Sequence, residues 1–428
     1  MTALQDHPLR YELANELHAR PFPRIETPST AVFVALRPKR DAAGRNRVAD
    51  LEHLCALLDR FGAAHPAPRA THYSGQIGRH MLKWESHTEF VTYTAFSAGA
   101  SDRAFDGADF DVFPEDWLAA ANMERVTSAM LRVVPLPEAR SELHEALAGW
   151  FAPESMAVSY VLDEAAVIAG DFHIDSAGHM RFAVFVSNGT GPQRTGRIVQ
   201  RLCEIETYKT LSMLGFARVR SLGGELARFD RQLSGLMEDM TLSETPAEAT
   251  LDELLTVSAE LEALSAAASF RFGATQAYEA LVHERISVLR ETRINGRQTF
   301  GEFMMRRYDP AMRTVAATRA RLSAMADRAM RAGELLRTRV EVERSAQSSA
   351  LLESMNKRAD LQLRLQQTVE GLSVVAISYY AVNLVSYAAY PFAKSLAGLD
   401  KGMVSALVTL PVVGLVWMAV RRIRNRFH

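Results

Sequence analysis

The stretch "SNGTGPQRTGR" (residues 187–197) sets Gly189, Gly191 and Gly196 among hydroxyl and basic side chains, with Arg194 and Arg197 beside them. A glycine-rich turn between a strand and a helix offers backbone N–H groups and a helix N-terminus to a phosphate. The chemistry to expect is anion or nucleotide binding, with Arg194, Arg197 and Arg201 as a basic face on the helix start. "GPQRTGRI" has the glycine spacing of a P-loop. Arg197 stands where that motif needs lysine, however, and Ile198 where Mg²⁺ needs a hydroxyl. A structural strand-to-helix turn is the competing reading.

Two further stretches offer donors for a divalent cation. In "DFHIDSAGH", Asp171, His173 and Asp175 alternate onto one strand face, with His179 beyond a turn. In "WESHTEF", Glu85, His87 and Glu89 do the same. Mixed oxygen and nitrogen donors suit such an ion. The run "SDRAFDGADFDVFPED" gathers Asp102, Asp106, Asp109, Asp111, Glu115 and Asp116, which would attract a hydrated cation. Solvated strand faces and a solvated loop produce the same patterns. No Ser/His/Asp, Cys/His or zinc spacing stands out, so the sequence points to no enzyme and names no cofactor.

These residues must be positioned by strands and helices. "TAVFVALR" (30–37), "HMLKWES" (80–86), "TEFVTYTAF" (88–96), "MAVSYVL" (156–162) and "MRFAVFVS" (180–187) are strand-like, rich in β-branched and aromatic residues. "VADLEHLCALLDRF" and "EARSELHEALAGWF" between them are amphipathic helices. The pattern predicts an α/β or α+β domain over residues 1–190. A helical region follows over 191–306, interrupted by the acidic, proline-containing patch "EDMTLSETPAEATLDE" (238–253). Over 307–370 the spacing predicts one long stalk helix, about 90 Å at about 1.5 Å per residue. Val315, Leu322, Ala329 and Leu336 recur every seven residues along it, until Glu343 breaks the register. Such a stalk transmits movement or acts as a passive spacer.

Residues 371–393 and 402–420 carry no charge, over 23 and 19 residues. Each is close to the ~20 residues that span a hydrocarbon core. They predict two transmembrane helices joined by a short external loop (394–401). The tail 421–428 carries Arg421, Arg422, Arg424 and Arg426, which the positive-inside rule places in the cytoplasm together with the N-terminal domain. A buried helical hairpin of a soluble protein is the alternative. At ~100° per residue, Ser373, Tyr380, Asn383, Tyr387 and Tyr390 share one side of the first span, flanked by Tyr379 and Ser386. Val374, Ile377, Ala381, Leu384, Val385 and Ala388 lie opposite, and Ser378 is the stray. The second span shows no stripe; Ser405 and Thr409 sit near its start. Polar groups at membrane depth face protein or water. The first span is therefore expected to face the inside of a homo-oligomer and the second its outside. The stripe lines a pore or glues helices together.

Composition excludes other classes. The 428 residues can hold two or three domains, and 49 basic against 50 acidic residues give no field that argues for nucleic acid. Cys55 and Cys203 are too few for a disulfide framework and fit a reducing compartment. The segment "MTALQDHPLRYELANELHARPFPR" has no apolar h-region, so no signal peptide is expected.

"HPLRYELANELHARPFP", "LKWESHTEF", "SNGTGPQRTGRIVQRLCEIETYKTL" and "LLESMNKRADLQLRLQQTVEGLSVVAISYY" resemble a bacterial family of uncharacterised membrane-anchored proteins, classed as a domain of unknown function. That resemblance implies anchoring in the bacterial inner membrane and no particular activity. The order of cytoplasmic α/β domain, helices, stalk, two C-terminal spans and basic tail also resembles the CorA-type divalent-cation channels. That resemblance implies a pentamer with the first span lining the pore. The chain departs from it where CorA-type proteins carry Gly-Met-Asn. Here the first span ends "YAAYPFAK", and Gly402-Met403-Val404 opens the second. Mg²⁺ selectivity is therefore not implied. The expected function is an oligomeric CorA-like membrane protein that passes or gates ions. The alternative is a membrane-anchored scaffold or sensor whose cytoplasmic domain binds a ligand or partner protein, and an anchored nucleotide-dependent enzyme rests only on the altered P-loop.

Overall fold

The structure is a computed structural model that describes residues 4–16, 22–39, 44–242, 246–397 and 400–427. It divides into two units. One comprises Met1–Leu242 and Asp252–Ala332, the other Ser243–Leu251 and Gly333–His428.

The first unit begins with a short helix, α1 (Arg10–Glu16), and is built on one mixed sheet of nine strands. In chain order these are β1 (Ser29–Pro38), β2 (His72–Ile77), β3 (His80–Ser86), β4 (Val91–Ala98), β5 (Met123–Pro135), β6 (Ala157–Val161), β7 (Ala166–Ile174), β8 (Met180–Val186) and β9 (Thr292–Arg293). Their spatial order is β2-β3-β4-β1-β5-β8-β7-β6-β9. The order is mirrored about the β1/β5 centre. From each central strand the chain crosses through a helix, α2 (Arg47–Arg60) or α4 (Arg140–Trp150), and returns inward through three strands. The halves are not copies, because β4 runs antiparallel to β1 whereas β8 runs parallel to β5.

Strand alternation decides what each face packs against. Val32, Val34 and Leu36 of β1 join Trp84, Tyr93, Leu54, Leu57 and Leu58 beneath α2, with Trp117 of α3 (Glu115–Ala120) closing that core. In the other half, Val158, Val167, Ala183 and Phe185 pack against Leu143 and Leu147 of α4. The opposite face receives α5 (Pro192–Leu242), which packs on β1, β5 and β8. The chain then returns through α6 (Ala247–Ser287), adds β9 beside β6, and enters α7 (Phe300–Arg307), which packs on β6. The sheet is thus completed by residues beyond the two long helices, so residues 1–190 do not close it alone.

The next helix is α8 (Asp309–Ala397). Within the first unit its Val315, Leu322 and Ala329 are buried, as their heptad spacing predicts. Arg319 donates to Gln276 of α6 at 2.7 Å, and Arg321 pairs with Asp230 of α5. In the second unit α8 continues through Gly371 and past Pro391, and α9 runs Lys401–Phe427. The loop expected at 394–401 narrows accordingly: residues 394–397 extend α8, 398 and 399 lie outside the described residues, and Lys401 opens α9. Both helices hold stretches long and apolar enough to cross a membrane, within Asp309–Ala393 and Lys401–Ile423.

Candidate functional site

The glycine-rich stretch does join a strand to a helix, with Val186 ending β8 and Pro192 opening α5. Gly189 supplies the turn with φ +84°, a conformation that side chains with a Cβ resist. The polar groups around it mostly hold the β6–β7 hairpin. Ser187 Oγ donates to the Glu164 carbonyl at 2.6 Å and Thr190 Oγ1 to the Ala165 carbonyl at 2.9 Å. Arg194 donates to the Leu162 carbonyl and approaches Asp163 at 3.4 Å. Gly196 is needed for contact: a Cβ there would lie 1.7 Å from the Pro23 carbonyl oxygen. Gly191 has open space around it, and Arg197 is exposed. Burial lowers the pKa of Arg201, and its neighbour Arg197 adds to that shift.

The structure does not assemble the cation sites expected from alternation. β7 bulges between Gly170 and Ile174, and Phe172 takes φ +54°, so Asp171 and His173 no longer share a face. Asp171 is fully buried and accepts from Ala152 N at 3.0 Å and from Arg181 at 2.9 Å. His173 meets Ser155 Oγ at 3.0 Å. Asp175 accepts the turn N–H groups of Ala177 and His179, each at 2.9 Å. His179 is buried against Ser128 Oγ at 2.9 Å, and burial lowers its pKa. Glu89 is likewise drawn inward, to both terminal nitrogens of Arg271, away from His87, which stacks on Phe90. In the acidic run, Asp106 caps a 3-10 helix (Gly107–Val112), Asp109 accepts from Ser101 and Asp116 pairs with Arg60. Among the described residues no group of three or more His, Cys, Asp or Glu could hold a metal ion.

What the fold does assemble is a cavity of about 270 Å³ in the first unit, between the sheet and α5. Its floor is a set of cross-strand neighbours. Lys83 lies opposite Thr94, which lies opposite Phe33, and Glu85 lies opposite Thr92. Its roof is one stripe of α5, Gln200, Cys203, Glu204, Thr207 and Tyr208, at the three- and four-residue spacing of a helix face. Arg285 of α6 closes one side, and Phe22, Phe90 and Phe96 add aromatic wall. Lys83 Nζ donates to Gln200 Oε1 at 2.8 Å and lies 3.2 Å from Glu85. Gln200 Nε2 donates to Glu204 at 2.8 Å, and Arg285 Nε donates to the same carboxylate. Burial alone would lower the Arg285 pKa; the adjoining Glu204 carboxylate reverses that, and the net shift is upward. Burial pushes the Cys203 thiol well up, which leaves it protonated and unreactive. His87 also lines the cavity, and of the whole lining the sequence patterns point only to Glu85 and His87 as candidate ligands. The signal for the rest was alternation itself: Lys83, Glu85, Thr92 and Thr94 form a polar face that looks solvated until α5 covers it.

In the second unit the two apolar helices meet along a face of α8 that holds Ser378. Among the described residues Ser378 and Ser386 are the buried residues of α8 there, and neither hydroxyl has a hydrogen-bond partner. Ser378 and Asn383 line a cleft shared with Ser405 and Thr409 of α9. Ser378, taken as the stray, thus belongs to the face that α9 covers. Ser373 is exposed and bonds back to the Val369 carbonyl at 2.8 Å. Tyr380 and Tyr387 are 71% and 66% exposed, and Tyr390 is half-buried. The Lys401 ammonium sits 4.6 Å from the Tyr387 ring centroid.

Comparison with curated proteins and with solved structures gives no match. A family model does match, over residues 5–427, and the chain with its mixed sheet, long helices and paired apolar helices belongs to that family, described as "Protein of unknown function (DUF3422)".

Proposed function

We propose that the chain is one subunit of a homo-oligomeric, CorA-like protein of the bacterial inner membrane, with α8 facing the interior of the assembly and α9 its outside. In this reading the sheet unit and the basic C-terminus lie in the cytoplasm, and the five subunits that the CorA resemblance implies surround an ion pathway. The observation that carries it is the exposure of α8 in the single chain. Leu351, Met355, Leu365, Val369 and Leu372 fall along one side of the helix and are at least 55% exposed. Tyr380 and Tyr387 continue exposed into the apolar stretch, while α9 covers the face of Ser378 and Ser386. Neither water before the membrane nor lipid within it favours these groups, whereas neighbouring copies of α8 satisfy both.

The test is the mass of the detergent-extracted particle, followed by ion flux in proteoliposomes. A ring of four or more subunits, with flux altered by Asn383→Leu, is the expected result. A monomer or dimer, or flux absent from both forms, overturns it. A second reading, a membrane-anchored sensor, is favoured by one observation: the cavity under α5, lined by both charged and aromatic side chains.

A further inference from the structure

The cavity between β3, β4 and α5 has features that packing alone does not require. We infer that it is a binding site for a small, net-neutral zwitterion with a flat apolar part, the chemistry of an aromatic amino acid. This inference stands apart from the oligomeric reading, because every residue it uses lies in the first unit.

Charge comes first. Lys83 and Arg285 are matched by Glu85 and Glu204, so among the described residues the charged lining of Lys, Arg and Glu sums to zero. A ligand with one net charge would leave an uncompensated charge away from water, which costs several kcal/mol by order of magnitude. A ligand with both signs, or with none, does not. The arrangement of the four distinguishes between those two. Gln200 separates a Lys83–Glu85 pair from an Arg285–Glu204 pair, so opposite charges are presented at both ends of one bridge.

Unfilled hydrogen-bonding capacity comes second. The Lys83 ammonium has three N–H donors and its two protein partners are Gln200 and Glu85, which leaves one donor over. Among the described residues, the Thr92 and Thr94 hydroxyls have no hydrogen-bond partner, and both residues line the cavity. These three groups lie on adjoining strands on one face of the sheet, Lys83 directly opposite Thr94, and their free capacity suits a carboxylate. The Glu85 and Glu204 carboxylates suit an ammonium.

Shape comes third. Phe33 and Phe96 from the sheet, Phe90 from the β3–β4 turn and Tyr208 from α5 give aromatic wall beside that polar row. The volume, about 270 Å³, lies just below the roughly 300–1,000 Å³ of small-molecule sites and suits a small ligand.

The experiment is isothermal titration of the full chain in detergent with L-phenylalanine, 3-phenylpropionate and 2-phenylethylamine. The last two carry the same ring with only the carboxylate or only the ammonium. The expected result is saturable binding of L-phenylalanine, at least tenfold tighter than either single-charge analogue. Thr94→Val removes one hydroxyl at nearly constant volume and should weaken binding several-fold with the melting temperature unchanged. Thr94→Phe fills the cavity and should abolish binding. Arg194→Ala, outside the cavity, should leave it unchanged. Absence of heat for all three compounds overturns the site. Equal or tighter binding of a single-charge analogue overturns the zwitterion class. Binding that survives Thr94→Phe in a folded protein places the compound elsewhere and overturns the assignment.

Discussion

The two units depart from the usual placement of residues in opposite directions, one by burying charge and the other by exposing apolar side chains. In the first, carboxylates are fully buried and held by partners: Glu89 by Arg271, Glu206 by Lys209 and Thr127, Asp171 by Arg181. In the second, large apolar side chains stand exposed, Leu384 at 76%, Leu407 at 75% and Leu410 at 82%. A charge survives burial only where its partner is fixed, whereas a contiguous run of exposed large apolar side chains marks a surface for another molecule or for lipid. The sheet unit therefore carries its own complement. The hairpin unit leaves a large apolar surface that its described residues do not cover.

The largest effect should come from breaking that internal complement. Arg271→Ala leaves the Glu89 carboxylate buried and unpaired, and should cost roughly 3–5 kcal/mol of sheet-unit stability. Trp84 and Trp117 are buried in that unit, so their fluorescence during urea unfolding measures it. A loss below about 1 kcal/mol would mean that water reaches Glu89, and the contrast between the units would weaken.

The complementary experiment changes the hairpin unit. Leu365→Glu puts a charge on the exposed seam of α8, and it should leave the tryptophan-monitored transition where it is. It should weaken subunit association roughly tenfold or more, ~1.4 kcal/mol, seen as a smaller particle by light scattering. An unchanged particle mass would show that the seam meets no second copy.

A pH titration sharpens the comparison from the other side. Burial is the main cause that lowers the pKa of His53, His80 and His179 from an ordinary value of 6.5. His53 shows how the neutral form is fixed. Its Nε2 donates to the Trp117 carbonyl at 3.0 Å, so its Nδ1 accepts from the Tyr93 hydroxyl at 2.9 Å. As pH falls below about 6.5 the unfolded chain takes up protons before the folded one does. Stability should therefore decline from there down to the lowered folded values. His53→Phe should flatten part of that slope, and an unaltered slope would exclude His53 as a source.

Much of this fold was legible because its strands are patterned locally. "HMLKWES" coincides with β3, and "TAVFVALR" and "MRFAVFVS" match β1 and β8 to within a residue at each end. The 13-residue β5 went unrecognised although it is central, since burial on both faces removes the alternation that marks a strand. β9 is two residues long and has no signal of its own. The site was less legible for the same reason in reverse. Lys83, Glu85, Thr92 and Thr94 have the period of a solvated face, and only the return of α5 over the sheet turns them inward. A bulge is also invisible to alternation, which is why Asp171 and His173 were placed together. The heptad from Val315 was readable because α5 and α6 supply the local partners that heptads require.

The smallest effect concerns the glycine-rich turn, and it separates a structural arginine from a free one. Arg194 ties the turn to the Leu162 carbonyl, so Arg194→Ala should cost roughly 0.5–1.5 kcal/mol, the net worth of one such bond. Arg197 is exposed on the same helix start, and Arg197→Ala should fall within about 0.5 kcal/mol of the parent. Repeating both melts with added inorganic phosphate tests the anion reading directly. If the turn is purely structural, phosphate shifts neither parent nor variant. If phosphate stabilises the parent and that gain disappears with Arg197→Ala but survives Arg194→Ala, the exposed arginine is the ligand. The sheet unit would then hold an anion at the start of α5 as well as the cavity beneath that helix.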